Sequence, residues 1–269
     1  MEEAFSVVKS IRIWTLGALA TLAVGLSVVP GGLRAQQPTT PQAPRHIDPQ
    51  ARQALDRVIQ VLGGQAFLNA RSLTSKGRVF FFQDGAIVGV EPFQSWFLYP
   101  DKRRFSYGKE KPVILINDGD KGWELDRYGL IEQPPTQLTK WTVENRYRLE
   151  NLLRQRINDP GVLIQMGSVD FVDNVPTQGI LITEAGGINV RLDLSRQTSL
   201  PTRISYRVRN VKDNDWDNYS DTYADYHSID GVQVPMQITR YLYGERIGVI
   251  SRNSAKLNED YPPAYFKPE

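Results

Sequence analysis

The sequence predicts a mainly β protein with added helices (α+β): a large curved antiparallel sheet, or unclosed β-barrel, of about eleven strands with helices covering the concave face. Three observations predict it. The first is alternation between Gly179 and Tyr243. Val190, Leu192 and Leu194 share one side of a strand and Arg191 and Asp193 take the other, and Ile204, Tyr206 and Val208 repeat this against Arg203, Ser205 and Arg207. A period of two with one apolar and one polar face marks antiparallel sheet half covered by another layer. The second is spacing: short runs separated by Asp84-Gly85, Pro100-Asp101 and Asp118–Lys121 read as a meander, because parallel crossovers need far longer connections. The third is that helical periodicity is confined to two segments.

In chain order, Asp48-Pro49 opens the first helix as cap and first-turn proline, and Ala54, Leu55, Val58, Ile59 and Leu62 fall at helical spacing before Gly63-Gly64 stops the run. A short turn over Ala66–Ala70 leads into sheet. Leu73–Gln83, Ala86–Val90, Phe93–Tyr99, Lys102–Tyr107, Val113–Asn117 and Gly122–Asp126 read as consecutive strands, with Glu91-Pro92 separating the second from the third. Pro134-Pro135 ends this block. Thr136–Arg156 then carries Leu138, Trp141, Asn145, Leu149 and Leu152 at three- and four-residue steps, an amphipathic helix closed by Asp159-Pro160-Gly161. Strands resume at Val162–Val172 and Gly179–Glu184 and continue to Glu245–Leu257. Tyr261–Glu269, rich in proline and aromatics, reads as a tail laid over a sheet edge.

The N-terminus sets the compartment. Lys9 and Arg12 precede the apolar run Ile13–Val29, Pro30-Gly31-Gly32 breaks it, and Leu33-Arg34-Ala35 offers cleavage after Ala35. That is the order of a secretory signal peptide over residues 1–35, with an uncleaved membrane anchor over residues 13–29 as the alternative. Both place the remainder outside the cytoplasm, in the periplasm or exported. Residues 36–47, which begin QQPTTPQAPRH, have no apolar periodicity and read as a disordered leader, leaving 48–269 as a single β domain. A domain that long buries enough surface to do without disulfides, and the chain has no cysteine.

Composition and motifs argue against most chemistry. The chain has 32 Lys and Arg against 30 Asp and Glu, a net charge of +2, and no basic excess that would mark a nucleic-acid partner. Of its two histidines, His46 lies in the leader and His227 on a strand beside Asp225, with no G-x-S-x-G nucleophile turn anywhere. Asp213, Asp215, Asp217 and Asp221 have a calcium-loop spacing, but Asn218 stands where the loop needs Gly and Ala224 where it needs Glu. No phosphate-binding glycine loop is present. We therefore expect no enzyme, no cofactor and no metal.

What stands out is apolar density on strands. Phe80, Phe81 and Phe82 run consecutively, followed by Trp96-Phe97-Leu98-Tyr99 and by Val113–Ile116. Consecutive apolar residues require cover on both faces: either a thick core under the helices or a face bordering a ligand cavity. On the cavity reading, the lining candidates from the first block are Phe80, Phe82, Trp96, Leu98, Ile114 and Ile116, and Trp141 from the central helix. From the second block they are Val190, Leu192, Leu194, Ile204 and Tyr206, and then Met236 and Ile238.

Several short motifs, in order, resemble the LolA/LolB-type superfamily of periplasmic lipoprotein carriers. They are the helix ALDRVIQVLGG with Ser75-Lys76-Gly77, the junction Tyr99–Arg104, Asn117-Asp118-Gly119 with Gly122-Trp123, and Leu192-Asp193 followed by Leu200–Arg203, Tyr226, Asp230-Gly231 and Val234-Pro235. Together they span most of residues 50–257. The resemblance implies an unclosed antiparallel barrel whose apolar concave side, lidded by helices, holds acyl chains. It implies a carrier of lipids or lipoproteins, or alternatively a periplasmic sensor or interaction domain of the same fold. Expected partners are acyl chains or lipoproteins and envelope membrane proteins, with the protein itself a monomer. The polar insert Val211–Asn218 departs from the family pattern, and the family's lid-latching arginine has no assigned counterpart here.

Overall fold

The computed structural model describes residues 46–210 and 214–268. The signal segment and most of the leader lie outside these residues, as does Asp213 of the calcium-like run.

Fourteen strands form one sheet in the order β1-β8-β9-β10-β11-β12-β13-β14-β2-β3-β4-β5-β6-β7. Every pairing is antiparallel except the short β1 (His46–Ile47), which runs parallel to β8 (Leu163–Val172). The sheet is thus two meanders joined where β14 (Glu245–Leu257) pairs with β2 (Ser72–Gln83). The outermost strands, β1 and β7 (Gly129–Glu132), do not pair with each other, so the sheet is unclosed. The mainly β class with an antiparallel, unclosed sheet is the one read from the sequence.

The first meander continues through β3 (Ala86–Leu98), β4 (Lys102–Tyr107), β5 (Val113–Asp118) and β6 (Lys121–Asp126). The second adds β9 (Val175–Thr183), β10 (Asn189–Ser195), β11 (Pro201–Asn210), β12 (Asp215–Ile229) and β13 (Val232–Leu242). Glu91-Pro92 does not divide β3. The Pro92 carbonyl accepts from Gly108 N (3.1 Å), so its nitrogen also points to the β4 side, beyond the last β4 pair at Tyr107. No ladder bond is lost there. β7 escaped the sequence reading because all four residues are exposed and carry no buried period. His46 and Ile47, expected in the leader, pair with Leu163 and Ile164.

Helix α1 (Pro49–Leu62) begins as expected: Asp48 Oδ1 accepts from Gln50 N (2.8 Å) and Ala51 N (3.1 Å). It ends at Gly63, whose φ of +125° and whose approach to Gly231 O leave no room for a side chain. Ala66–Ala70 is largely a short helix, α2 (Gln65–Asn69). The central helix is not continuous. It divides into α3 (Pro135–Arg146) and α4 (Leu149–Arg154), followed by a 3-10 turn at Arg156–Asn158. Asn145 and buried Asn151 explain the break: Asn151 Nδ2 donates to Asn145 O (2.8 Å) and to Pro100 O (2.8 Å), pinning the interruption to the β3–β4 turn.

The helices lie on one face, here the inner one. Ala51, Leu55, Val58 and Leu62 of α1 are fully buried against Ile164, Ile180, Ile182, Leu192 and Ile204. The outer face over β10 and β11 is closed by ion pairs. Asp193, fully buried, accepts from Arg191 Nε (2.7 Å) and Arg203 Nε (2.8 Å), and Gly179 leaves room for the Arg191 guanidinium lying across it. The C-terminal tail covers the outer face of the first meander rather than an edge. Tyr265 packs edge-on to Trp96, Arg104 sits over Tyr265, and Phe266 has no exposed surface. Among the described residues no helix is long and apolar enough to cross a membrane.

Candidate functional site

Register sorts the expected cavity residues into two groups. Leu73 and Phe97 are opposite one another, and both join the core beneath the helices. Their neighbours therefore point outward. Trp96 pairs with Arg104, Arg104 with Ile116, and this row lies beneath Tyr265 of the tail. Leu98, Ile114, Phe80 and Phe82 alternate onto the same outer face. The inner-cavity placement expected for these six residues is not the one the register gives: they stand on the outer face, where the tail packs on Trp96 and Arg104.

Val190, Leu192, Leu194, Ile204 and Tyr206 do come together on the inner face, with Trp141 above the sheet and Ile238 at the margin, while Met236 is buried outside this cluster. They form one buried cluster with the apolar side chains of the helices. A gap lined by Phe67, Leu73, Tyr99, Leu149, Glu150 and Arg154 has a volume of about 10 Å³, room for no more than a water.

The inner face continues beyond the helices onto β2, β3 and β4, and here the structure shows residues the sequence reading left out. Phe93 and Phe105 stack at 5.5 Å between ring centres, Phe105 and Tyr107 meet at 5.9 Å, and Phe81 meets Tyr107 at 5.7 Å. Phe93 is buried, while Phe81, Phe105 and Tyr107 are half-buried, and all four stand outside the cluster the helices pack into. Burial, with Glu124, Asp126 and Glu91 nearby, pushes the Tyr107 hydroxyl up to about 12, so the wall is uncharged near neutral pH. The signal that could have found them is the odd-numbered set Val79, Phe81, Phe93 and Phe105, as apolar as the even one.

Between the aromatic wall and the packed half runs a charged belt. Arg103, Arg240 and Arg252 come from β4, β13 and β14; Arg148 and Arg154 from the α3–α4 segment; the carboxylates are Glu144, Glu150 and Asp221. Arg240 makes a two-pronged contact with Asp221 (2.8 Å and 2.8 Å) and pairs with Glu144. Arg148 lies 4.2 Å over Phe97, Arg103 4.4 Å over Trp141, and Arg154 4.4 Å over Tyr99. Burial would raise the carboxyls of Glu144 and Glu150. The surrounding guanidiniums, chiefly Arg240 for Glu144 and Arg148 for Glu150, win and hold both below the usual carboxylate range. Arg103 and Arg252 go the other way, although Glu144 pulls the first up and Glu150 the second. Burial and the repulsion of Arg148 and Arg240 bring Arg103 down to about 10, and burial with Arg148 lowers Arg252.

Belt and wall are in register. Arg240 pairs with Gly248, which pairs with Phe81, and Arg252 pairs with Gly77, which pairs with Phe93 and then Tyr107. Glycine thus separates each arginine from its ring. At Gly77 glycine is required, since a Cβ would stand 2.0 Å from Ser251 O where β14 bulges. The arrangement offers an apolar surface bordered by fixed positive charge. Among the described residues no group of histidines and carboxylates could hold a metal.

No protein-family model and no curated protein matches the sequence. Solved structures do match the fold. The chain is similar to a DUF1329-family protein from Desulfovibrio piger at 11% identity, covering 81% of this chain and 97% of that one with a TM-score of 0.56. It is also similar to an outer-membrane lipoprotein-sorting protein domain from Vibrio parahaemolyticus at 7% identity, with the same coverage and a TM-score of 0.53. A LolA-superfamily protein from Nitrosomonas europaea aligns at 15% identity with a TM-score of 0.48. The first two likenesses show the fold: it is the one shared by the DUF1329 and lipoprotein-sorting structures, an unclosed antiparallel sheet as expected from the motifs.

Proposed function

We propose that this protein is an exported, carrier-type binding protein that holds the acyl chains of a lipid or lipoprotein on the inner face of its sheet. One observation supports this above the others: the aromatic wall of Phe81, Phe93, Phe105 and Tyr107 continues the inner face past the helices and keeps part of its surface open. An acyl chain laid on it leaves water at about 0.8 kcal/mol per methylene, so a few rings suffice to hold one reversibly. The packed half under α1 is the scaffold. Segment α3–α4, seated on the core by Trp141, Leu149 and Leu152 but broken between its two helices, is the element that shifts to deepen the groove. The lipoprotein-sorting likeness agrees with this role, and the N-terminal segment supports a periplasmic residence.

The test is extraction. Protein purified without detergent, extracted with organic solvent and examined by mass spectrometry, should release acyl-bearing molecules in stoichiometric amount. Protein that yields none, and that also fails to enhance the fluorescence of a fatty-acid probe, would contradict the reading.

A further inference from the structure

The belt has more positive charge than its own carboxylates balance: Arg103, Arg148, Arg154, Arg240 and Arg252 face Glu144, Glu150 and Asp221. The imbalance is local. Arg240 takes Asp221 and Glu144, and Glu150 answers Arg148 (4.0 Å) and lies close to Arg154 and Arg252. Arg103 keeps a bond to the neutral Asn117 Oδ1 (2.8 Å), and Arg252 donates to the Pro235 carbonyl. The Nε of each has no partner, and Arg252 is 9% exposed. The nearby carboxylates, Glu144 and Glu150, are engaged by Arg240 and Arg148, so neither Arg103 nor Arg252 has an ion pair of its own, and proteins rarely leave buried donors of this strength unpaired unless something else pairs them. The depressed basicity of both arginines agrees with a site short of negative charge.

Resting on the reading of the inner face just given, we infer that the ligand is an anionic amphiphile: its acyl chain lies on the Phe81–Tyr107 wall and its carboxylate or phosphate head is taken by Arg252 and Arg103 at the belt. The register supports this geometry, since the row from Arg252 through Gly77 to Phe93 and Tyr107 runs from charge to ring with no side chain between. A neutral lipid would leave both guanidiniums unanswered, so the belt selects among chains of equal length by headgroup.

The test is calorimetric titration of the full chain with three single-chain lipids of the same acyl length: palmitate, palmitoyl-lysophosphatidylglycerol and uncharged 1-monopalmitoylglycerol. At least one anionic lipid should bind tenfold or more tighter than the glycerol ester, and the stronger of the two identifies the head as carboxylate or phosphate. Arg252→Met should bring the anionic lipid to the level of the neutral one while leaving monopalmitoylglycerol unchanged. Equal affinity for all three in the unaltered protein, a comparison that depends on no variant, would overturn the headgroup assignment and leave acyl binding standing. Failure of all three to bind would defeat both.

Discussion

If the packed half is scaffold and the aromatic wall is the binding surface, truncations on the two should separate stability from binding. Leu192 has no exposed surface and sits in register between Ile180 and Ile204, both equally buried, beneath α1. Leu192→Ala removes buried methylenes and leaves a cavity that rigid sheet neighbours cannot close, a cost of about 3–4 kcal/mol. In a domain of this size that lowers Tm by about 6–16 °C. Phe105 is half-buried and stacked on Phe93, so Phe105→Ala should cost about 1–2 kcal/mol of stability. If its ring covers two or three methylenes of a bound chain, the same change removes about 2 kcal/mol of affinity, roughly a thirty-fold rise in Kd. Thermal unfolding by circular dichroism and titration with a fluorescent fatty acid read the two quantities on the same samples. Leu192→Ala should melt early yet bind normally at a temperature where it is folded, and Phe105→Ala should melt less early yet bind weakly. A folded Leu192→Ala protein that has lost binding, beside a Phe105→Ala protein that keeps it, would refute the division.

Three further outcomes follow from the geometry. Asp48→Ala removes the cap over Gln50 N and Ala51 N and should lower stability by about 1 kcal/mol in denaturant titration. Asp193→Asn keeps the shape but removes the charge that Arg191 and Arg203 share. With those arginines partly solvated the loss should be about 2–3 kcal/mol, and unchanged Tm would count against a buried pair. For pH, Glu144 and Glu150 have folded-state values below their ordinary 4.5, so the stability they contribute is present above that value and lost as pH falls through the lowered one. Tyr206, Tyr223 and Tyr226 are raised by burial, so their contribution is present below pH 10 and lost as pH rises beyond it. Unfolding midpoints measured across pH should therefore fall at both ends, and a flat acid limb would show that the belt does not form.

The parts legible in the sequence are those with one wet face. On β10 and β11, Arg191 and Arg203 alternate with Leu192 and Ile204, so strand, face and core membership all follow from period two. β2 and β3 are apolar on both sides, and nothing local says whether Phe80 or Phe81 points inward. That is settled by the pairing of Gly77 with Arg252, far away in the chain, and by a tail whose Tyr265 packs on Trp96 from outside. The even-numbered choice was therefore free in the sequence and wrong in the fold. The belt was hidden for a similar reason. Arg103, Arg240 and Arg252 lie on separate strands far apart in the chain, and only the sheet order, with β14 against β2, brings them to one face. The break at Tyr147-Arg148 interrupts no apolar period, and its cause, the bonds of Asn151 to Asn145 and Pro100, exists only in the folded chain.

The central claim concerns where the chain of the ligand lies, and photo-crosslinking addresses it directly. Palmitate carrying a diazirine in its tail, bound to the unaltered protein and irradiated, should leave its adducts on peptides from residues 72–107, on or beside Phe81, Phe93 and Phe105. Adducts concentrated on residues 189–210, beneath α1, would contradict the account.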